Sequence, residues 1–292
     1  MERKSTAAAG PVLEVKNLSV SFRMYDRGLE QYDLKVISNL NLDVRPGEIV
    51  AVAGSSGSGK SLLAHAVMGL LPENASVEGE ISYGGKLLEQ KDMERLRGKE
   101  FALVPQSVTF LDPSMKVGPQ VTGPRPSRER RQRQREVFDR FHLAEAVDRL
   151  DPVQLSGGMA RRVLVSTAVL SGASLILADE GRAVVLITHD IDLAFQVADR
   201  VAVFYAGTTV ETAPSGDFLR GPEALRHPYS KALWNALPQN GFQPVPGFQP
   251  YAKALPKGCL FAPRCPWRTE ECGGEIPMRE LRGGMVRCIH AT

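Results

Sequence analysis

The sequence predicts an α/β fold with a parallel-sheet core, followed by a small cysteine-rich C-terminal extension. Two short apolar runs, residues 49–53 and 175–178, each precede residues typical of a ligand site, as strands of an open α/β sheet do. The chain has 292 residues, of which 43% are apolar, enough for one large core and a small appendage. All four cysteines lie in the C-terminal part of the chain, which predicts the extension.

The segment GSSGSGKS, residues 54–61, fits the complete phosphate-loop pattern G-x-x-x-x-G-K-[ST] directly after an apolar run. Its glycines let backbone N–H groups face phosphate oxygens, and a helix that starts near Lys60 adds its positive N-terminal end. Lys60 is predicted to hold the β- and γ-phosphates, and Ser61 to bind Mg²⁺. A complete match after a strand disfavours a chance glycine-serine loop. The predicted nucleotide-binding residues here are Gly54, Ser55, Ser56, Gly57, Ser58, Gly59, Lys60 and Ser61.

Two carboxylates, Asp179 and Glu180, follow the second apolar run at the end where α/β sheets bind ligands. Asp179 suits a water-mediated contact with Mg²⁺, and Glu180 suits a general base that polarises the attacking water. Acidic residues that end a strand are more often simple turn formers. Their position downstream of the phosphate loop favours the catalytic interpretation.

The segment LSGGM, residues 155–159, precedes a helical stretch at residues 160–170. Ser156, Gly157 and Gly158 therefore predict a second anion site at a helix N-terminus. One chain cannot easily close both sites around one γ-phosphate, whereas two chains packed head to tail can. With its three motifs in this order, the sequence resembles the ATP-binding subunits of ABC transporters, specifically those of the oligopeptide, dipeptide and nickel import family.

The resemblance implies a phosphate-loop NTPase fold of ABC type and three further site residues. Gln106, in VPQS, would link Mg²⁺ and the water to the coupling helix of a membrane subunit, and His189, in LITHD, would contact the γ-phosphate. Phe22 would stack on adenine, with Tyr25 as a rival and a plain core-strand role as the alternative. The catalytic residues implied are Glu180, His189 and Gln106, and the Mg²⁺ ligands implied are Ser61, Gln106 and Asp179.

The four cysteines, Cys259, Cys265, Cys272 and Cys288, have the spacing C-x₅-C-x₆-C-x₁₅-C. The N-terminus lacks an apolar signal core, so metal coordination is favoured over two disulfides. The spacing also lacks the paired knuckles usual in zinc ribbons, which favours an iron–sulfur cluster over Zn²⁺. The motif HPYSKALWNALP, residues 227–238, resembles the family's C-terminal extension, and some family members carry a [4Fe–4S] cluster there. Free cysteines in a small cap are the alternative.

Residues 1–221 are predicted to form the ATP-binding domain, with an antiparallel β subdomain and a helical arm at about residues 92–170. Residues 222–292 are predicted to form the C-terminal extension. The arginine-rich run at residues 125–135 could bind nucleic acid. We prefer to interpret it as the solvated face of a helix whose apolar residues Val137, Phe138 and Phe141 point inward.

The resemblance implies an ATPase that powers import of peptides or of nickel and other metal chelates. Its cofactors would be ATP, Mg²⁺ and a [4Fe–4S] cluster, with Zn²⁺ as the alternative. Its partners would be a second ABC ATPase subunit (identical or paralogous), two membrane permease subunits and an extracellular substrate-binding protein, with no nucleic acid. No apolar run approaches the roughly 20 residues of a membrane helix, so we expect any transport to use separate membrane subunits. The resemblance implies a peripheral location at the cytoplasmic face of the cell membrane.

One departure from the family concerns the connection after Glu180, where only residues 181–183 precede the next apolar run. The family's Pro-Thr-Thr-x-Leu-Asp segment is absent. Three residues span about 10 Å, whereas a crossover between parallel strands needs about 10–12 residues. We expect either a missing segment, which is favoured, or an antiparallel second run with an altered site. The absent segment keeps open a nonhydrolytic or redox-regulatory ABC subunit as an alternative function. The arginine-rich run keeps open a second alternative, a soluble ABC-type ATPase that acts on nucleic acid.

Overall fold

Two β-sheets and a group of helices form the part of the chain that this computed structural model describes, residues 10–26, 30–97, 100–101, 111–123, 125–171, 184–187, 191, 194–195 and 198–292. The strands are β1 (Leu13–Tyr25), β2 (Gln31–Val44), β3 (Ile49–Gly54), β4 (Ala75–Tyr83), β5 (Lys86–Leu87), β6 (Val184–Ile187), β7 (Arg200–Tyr205), β8 (Thr208–Pro214), β9 (Arg279–Leu281) and β10 (Gly284–Val286). The α-helices are α1 (Lys60–Val67), α2 (Gln90–Leu96), α3 (Val117–Thr122), α4 (Arg128–Arg140), α5 (Gly157–Ser171), α6 (Ser215–Arg220) and α7 (Pro228–Asn235).

The N-terminal sheet is antiparallel, with the strand order β2-β1-β4-β5. In β1, Leu13 and Val15 are buried, and so are Leu18 and Val20. A strict alternation would place Val15 and Leu18 on opposite faces, but the pairing with β2 shifts its register between them. The irregularity lets both halves of this long strand contribute to one core. The structure thus contains the antiparallel β subdomain that the family resemblance implies.

The second sheet carries the phosphate loop and has the order β6-β3-β7-β8-β10-β9. Strand β3 pairs in parallel with both β6 and β7, and Val52 lies opposite Ile187 and Ala202. Beyond β7 the pairing is antiparallel, so the sheet is mixed. Residues 50–53 are fully buried because Val50 and Val52 pack into one apolar core and Ala51 and Ala53 into another, as their continuous apolar character predicts. Residues 172–183 lie outside the described residues, so the two alternatives for the connection after Glu180 stay predictions.

The C-terminal hairpin β9–β10 joins this same sheet next to β8, and a buried charge cluster fixes it there. Arg226 is 1% exposed, and its guanidinium lies 3.3 Å from Glu211 and 2.7 Å from Asp217. It also donates to the carbonyl oxygens of Leu281 (2.6 Å) and Arg282 in the hairpin. One side chain therefore links the C-terminal residues to the strand that follows the predicted nucleotide core.

The helical arm consists mainly of α3, α4 and α5, which share a separate apolar core. Ser127 caps α4 by accepting a hydrogen bond from the N–H of Arg130 at 3.2 Å. Val137 and Phe138 are buried and Phe141 is partly buried, as predicted for the inward face of this helix. The arginine-rich run therefore forms the entry and the exposed face of α4. Within the described residues, no helix is both long and apolar enough to cross a membrane.

Candidate nucleotide-binding site

The phosphate loop connects β3 to α1, as the sequence predicts, and its glycines have backbone geometry that other residues rarely adopt. Gly54 has a φ of 153°, and a Cβ there would lie 2.3 Å from the carbonyl oxygen of Phe204. Gly57 has a φ of 75°, and Gly59, at the N-terminus of α1, has a φ of 97°. The loop can therefore turn sharply and approach β7 closely only because glycine stands at these positions.

The Lys60 side chain lies inside the loop. Its ammonium donates to the carbonyl oxygens of Gly54 and Ser55, both at 2.8 Å, and to Ser58 Oγ at 3.4 Å. Lys60 is 4% exposed, and burial lowers its pKa from the ordinary value. A buried cation and the N-terminus of α1 therefore act at the same place, and both favour a bound anion.

The remaining loop residues divide into a buried inner side and an exposed outer side. Ser58 is fully buried, its N–H donates to the Ser55 carbonyl oxygen, and its own carbonyl oxygen accepts from the N–H of Gly207. Ser56, Gly57 and Ser61 are exposed. The exposed hydroxyl of Ser61 follows Lys60 in the first turn of α1, where the predicted Mg²⁺ ligand must be accessible.

Two C-terminal residues that the sequence analysis missed contact the loop. Tyr229 Oη accepts a hydrogen bond from the N–H of Ser55 at 3.2 Å. Gln249 Oε1 accepts from Ser55 Oγ at 2.7 Å, and Gln249 Nε2 donates to the carbonyl oxygen of Gly57 at 3.3 Å. Tyr229 belongs to the HPYS motif that supports the family resemblance, whereas nothing in the local sequence distinguishes Gln249.

The second predicted anion site lies at the exposed N-terminus of α5. Ser156 Oγ accepts from the N–H of Met159 at 3.2 Å, so the helix begins at Gly157, three residues earlier than predicted. Ser156, Gly157 and Gly158 are all exposed, and a Cβ on either glycine would meet nothing within 4 Å. This helix end therefore presents an open surface of the kind that a second molecule can cover.

Several predicted site residues lie outside the described residues. They are Gln106, Asp179, Glu180 and His189, and their roles stay predictions. Phe22 is partly buried in β1 and packs against the N-terminal core, while its rival Tyr25 is 63% exposed at the end of the same strand. The adenine-stacking role of Phe22 also stays a prediction.

The four cysteines are free, and Cys272 and Cys288 are buried. Burial, and to a smaller extent the charges of the other three thiols, raise the pKa of the Cys288 thiol to about 11, although a hydrogen bond with the backbone of His290 acts in the opposite direction. Burial also raises the pKa of Cys259 and of Cys265. No group of three or more His, Cys, Asp or Glu side chains in the described residues could hold a metal ion. The described residues therefore support neither the predicted iron–sulfur cluster nor the zinc alternative.

The phosphate loop between β3 and α1, together with an exposed helix start at Ser156 in a helical arm, defines an ATP-binding cassette. Residues 37–183 match the family described as ABC transporter, and residues 210–272 match the family described as oligopeptide/dipeptide transporter, C-terminal region. The chain belongs to the ABC transporter ATP-binding family, in the group with the oligopeptide/dipeptide C-terminal region. It is accordingly an ATPase coupled to transport.

Two relatives illustrate the match along the whole chain. The oligopeptide transport ATP-binding protein OppD of Escherichia coli (strain K12) is 32% identical over 320 aligned residues, which cover 96% of this chain and 93% of OppD. The dipeptide transport ATP-binding protein DppD of the same organism is 33% identical, over 91% of this chain and 92% of DppD. The alignment with OppD is longer than this 292-residue chain, so part of it has no counterpart here.

The fold agrees with solved cassettes. The dimeric structure of MJ0796, a bacterial ABC transporter cassette, matches with a TM-score of 0.54 and 26% identity, over 70% of this chain and 98% of that one. A second structure of MJ0796, a dimeric post-hydrolysis state bound to ADP and Pi, matches equally well. The ABC cassette fold is therefore confirmed.

Proposed function

We propose that this chain is the ATP-hydrolysing subunit of a peptide importer, bound peripherally to the cytoplasmic face of the membrane. The observation that carries the proposal is a phosphate loop with a buried Lys60 in a chain whose residues 210–272 match the oligopeptide/dipeptide C-terminal region. The relatives above are named for oligopeptide and dipeptide transport. They give no support to nickel or metal-chelate cargo, so peptides are the cargo proposed here.

Two chains would bind ATP between them. The exposed Ser156, Gly157 and Gly158 at the start of α5 supply a second set of N–H donors, and a partner cassette would place them over the phosphate loop of the first chain. MJ0796 is described as dimeric, which supports this arrangement. The other proposed partners are two permease subunits and an extracellular substrate-binding protein, with a second cassette that is identical or paralogous.

The proposed division of roles follows the chemistry of each residue. Lys60 and the loop N–H groups neutralise the phosphates, and Ser61, Gln106 and Asp179 would hold Mg²⁺ when it is bound. Glu180 would polarise the attacking water, and His189 would contact the γ-phosphate. Mg²⁺ supplies charge neutralisation at the β- and γ-phosphates.

The test uses the chain assembled with its permeases in vesicles, with binding protein and peptide inside and ATP outside. We expect ATP hydrolysis that rises with peptide and binding protein. We expect Lys60→Ala to weaken ATP binding about 10- to 100-fold, because a charge-assisted contact is lost. Lys86→Ala, which removes a lysine exposed in β5, is the matched control and should behave as wild type.

Each alternative function predicts a different outcome of this experiment. ATP binding without hydrolysis in the complete complex would favour the nonhydrolytic regulatory subunit. Hydrolysis stimulated by DNA or RNA, and indifferent to peptide, would favour the nucleic-acid alternative. Wild-type ATP affinity in Lys60→Ala would contradict the proposed nucleotide site itself.

The iron–sulfur cluster takes no part in this proposal. Iron and acid-labile sulfide measured on anaerobically purified protein test it directly. About four iron atoms per chain would establish the cluster that the cysteine spacing predicts, and their absence would leave Cys259, Cys265, Cys272 and Cys288 as the free thiols that the structure contains.

A further inference from the structure

We propose that Tyr229 and Gln249 are positioning residues for ATP, through which the C-terminal region holds the outer side of the phosphate loop. The proposal rests on the nucleotide site proposed above. It extends that site to residues about 170 to 190 positions away in the sequence. Neither side chain is proposed to touch the nucleotide, because Tyr229 acts on Ser55, and Gln249 acts on Ser55 and Gly57.

The N–H, the hydroxyl and the carbonyl oxygen of Ser55 each make a hydrogen bond. Its N–H donates to Tyr229 Oη at 3.2 Å, and its hydroxyl donates to Gln249 Oε1 at 2.7 Å. Its carbonyl oxygen accepts from Lys60 Nζ at 2.8 Å. The Gln249 amide also donates to the carbonyl oxygen of Gly57, so it bridges two points of the loop. Lys60 therefore holds the inner side of the loop by hydrogen bonds, and the C-terminal region holds its outer side.

Tyr229 can fix the position of Ser55 because its own ring is fixed. It is 2% exposed, and its ring centroid lies 4.5 Å from that of Tyr205 and 5.3 Å from that of Phe261. His227 caps the same helix, α7, by accepting from the N–H of Tyr229 at 2.9 Å. A hydroxyl on a ring packed in this way has little freedom to follow a moving loop.

Gln249 is held in place indirectly, by hydrogen bonds that Arg264 makes with the backbone a few residues before it. Arg264, between Cys259 and Cys265, donates from Nη2 to the carbonyl oxygen of Val245 and from Nε to that of Pro246, both at 2.8 Å. These bonds anchor the stretch that leads to Gln249. Arg264 Nη1 also donates to Tyr205 Oη at 3.2 Å, beside the ring of Tyr229. One arginine therefore supports both contacts with the loop.

These tethers matter because the loop must present several N–H groups to one anion at the same time. A loop that is already held in one shape loses less conformational entropy when the phosphates bind. Tyr229 and Gln249 should therefore strengthen ATP binding without taking part in hydrolysis. Their loss should raise the Kd and the KM for ATP and leave kcat unchanged.

The experiment compares Tyr229→Phe and Gln249→Ala with wild type in the intact chain. Phenylalanine keeps the ring packing and removes only the acceptor of the Ser55 N–H. Gln243→Ala, an exposed glutamine in the same stretch, is the matched control. ATP affinity is measured by isothermal titration with Mg²⁺ present, KM and kcat are measured in the assembled complex, and folding is checked by thermal unfolding.

We expect each variant to raise the Kd and the KM about three- to tenfold, the effect of losing one or two ordinary hydrogen bonds, with kcat and the control unchanged. Unchanged affinity in both variants would overturn the proposal. A fall in thermal stability with an unchanged Kd would also overturn it, because the contacts would then be merely structural. If Lys60→Ala also kept wild-type affinity, the nucleotide site would fail as well, so the two failures are distinguishable.

Discussion

Replacing Arg226 with methionine removes the cation from a buried charge cluster. Its Nη1 lies 3.3 Å from Glu211 Oε1 and 2.7 Å from Asp217 Oδ2, and all three side chains are at most 4% exposed. The guanidinium also donates to the carbonyl oxygens of Ala224, of Leu281 at the end of β9 and of Arg282 in the turn to β10. The substitution therefore leaves two buried carboxylates and three backbone acceptors without this donor, while the methionine keeps most of the apolar volume.

The expected loss in the free energy of unfolding depends on the two carboxylates, Glu211 and Asp217, that stay buried. Removing one partner of a buried ion pair costs about 3–5 kcal/mol, because the other charge stays buried. Glu211 still accepts hydrogen bonds from the backbone N–H groups of Arg226 and His227, at 2.9 and 2.8 Å. These bonds reduce the energetic penalty of its unpaired buried charge. We therefore expect a loss of about 3–4 kcal/mol in the free energy of unfolding. At about 2–4 °C per kcal/mol, the Tm should fall by roughly 6–16 °C.

The assay is urea unfolding followed by circular dichroism at 25 °C. Arg220→Met is the matched control, since Arg220 contacts the same Asp217 but its side chain is 72% exposed, and it should cost less than about 1 kcal/mol. Amide exchange in β9–β10 should accelerate only in Arg226→Met. A loss below about 1 kcal/mol for Arg226→Met, or equal losses for both variants, would refute the reasoning.

Two further predictions concern titratable groups. Burial lowers the pKa of His227 to about 3. Below about pH 6.5 the unfolded chain therefore binds a proton that the folded protein excludes. As a result, the free energy of unfolding falls by about 1.4 kcal/mol per pH unit between pH 6.5 and 3. His227→Asn keeps an acceptor for the N–H of Tyr229 and should lose less stability than wild type in urea unfolding between pH 7 and 5.5, whereas equal losses would contradict the assignment. In reduced, metal-free protein, Cys288, with a pKa of about 11, should react with iodoacetamide at pH 8 more slowly than the partly exposed Cys265, as measured by mass spectrometry. Unfolding in urea should make the two rates similar, and equal rates in the folded protein would argue against the burial effect.

The sequence predicted those features that depend on neighbouring residues. The turn at residues 54–61 needs glycines at fixed positions followed by a helix. The eight-residue motif therefore largely determines the backbone conformation of the loop. The same holds for α5, which begins behind the Ser156 cap, and for α4, whose apolar positions Val137 and Phe138 are buried as predicted. The hairpin of β7 and β8 was also predictable, because the apolar run at residues 201–205 and the threonine-containing run at residues 208–211 flank the short turn Ala206-Gly207.

The cysteines show where a sequence pattern is insufficient. Four thiols at suggestive spacing favoured an iron–sulfur cluster, but whether thiols form a ligand set depends on how several short segments pack together. The described residues place these thiols near enough to influence one another's pKa, and they contain no group that could hold a metal ion. Spacing along the chain does not determine that arrangement, because the connecting segments can fold in many ways.

The sequence by itself determined the phosphate loop, the helix end at Ser156 and the class of protein, because each depends on contiguous residues with restricted backbone geometry. Only the tertiary structure decided that Tyr229 and Gln249 hold the loop, and that Arg226 joins the C-terminal hairpin to the central sheet. Those contacts join residues far apart in the chain through ordinary side chains. These side chains can form the contacts only when folding brings the two partners within hydrogen-bonding distance.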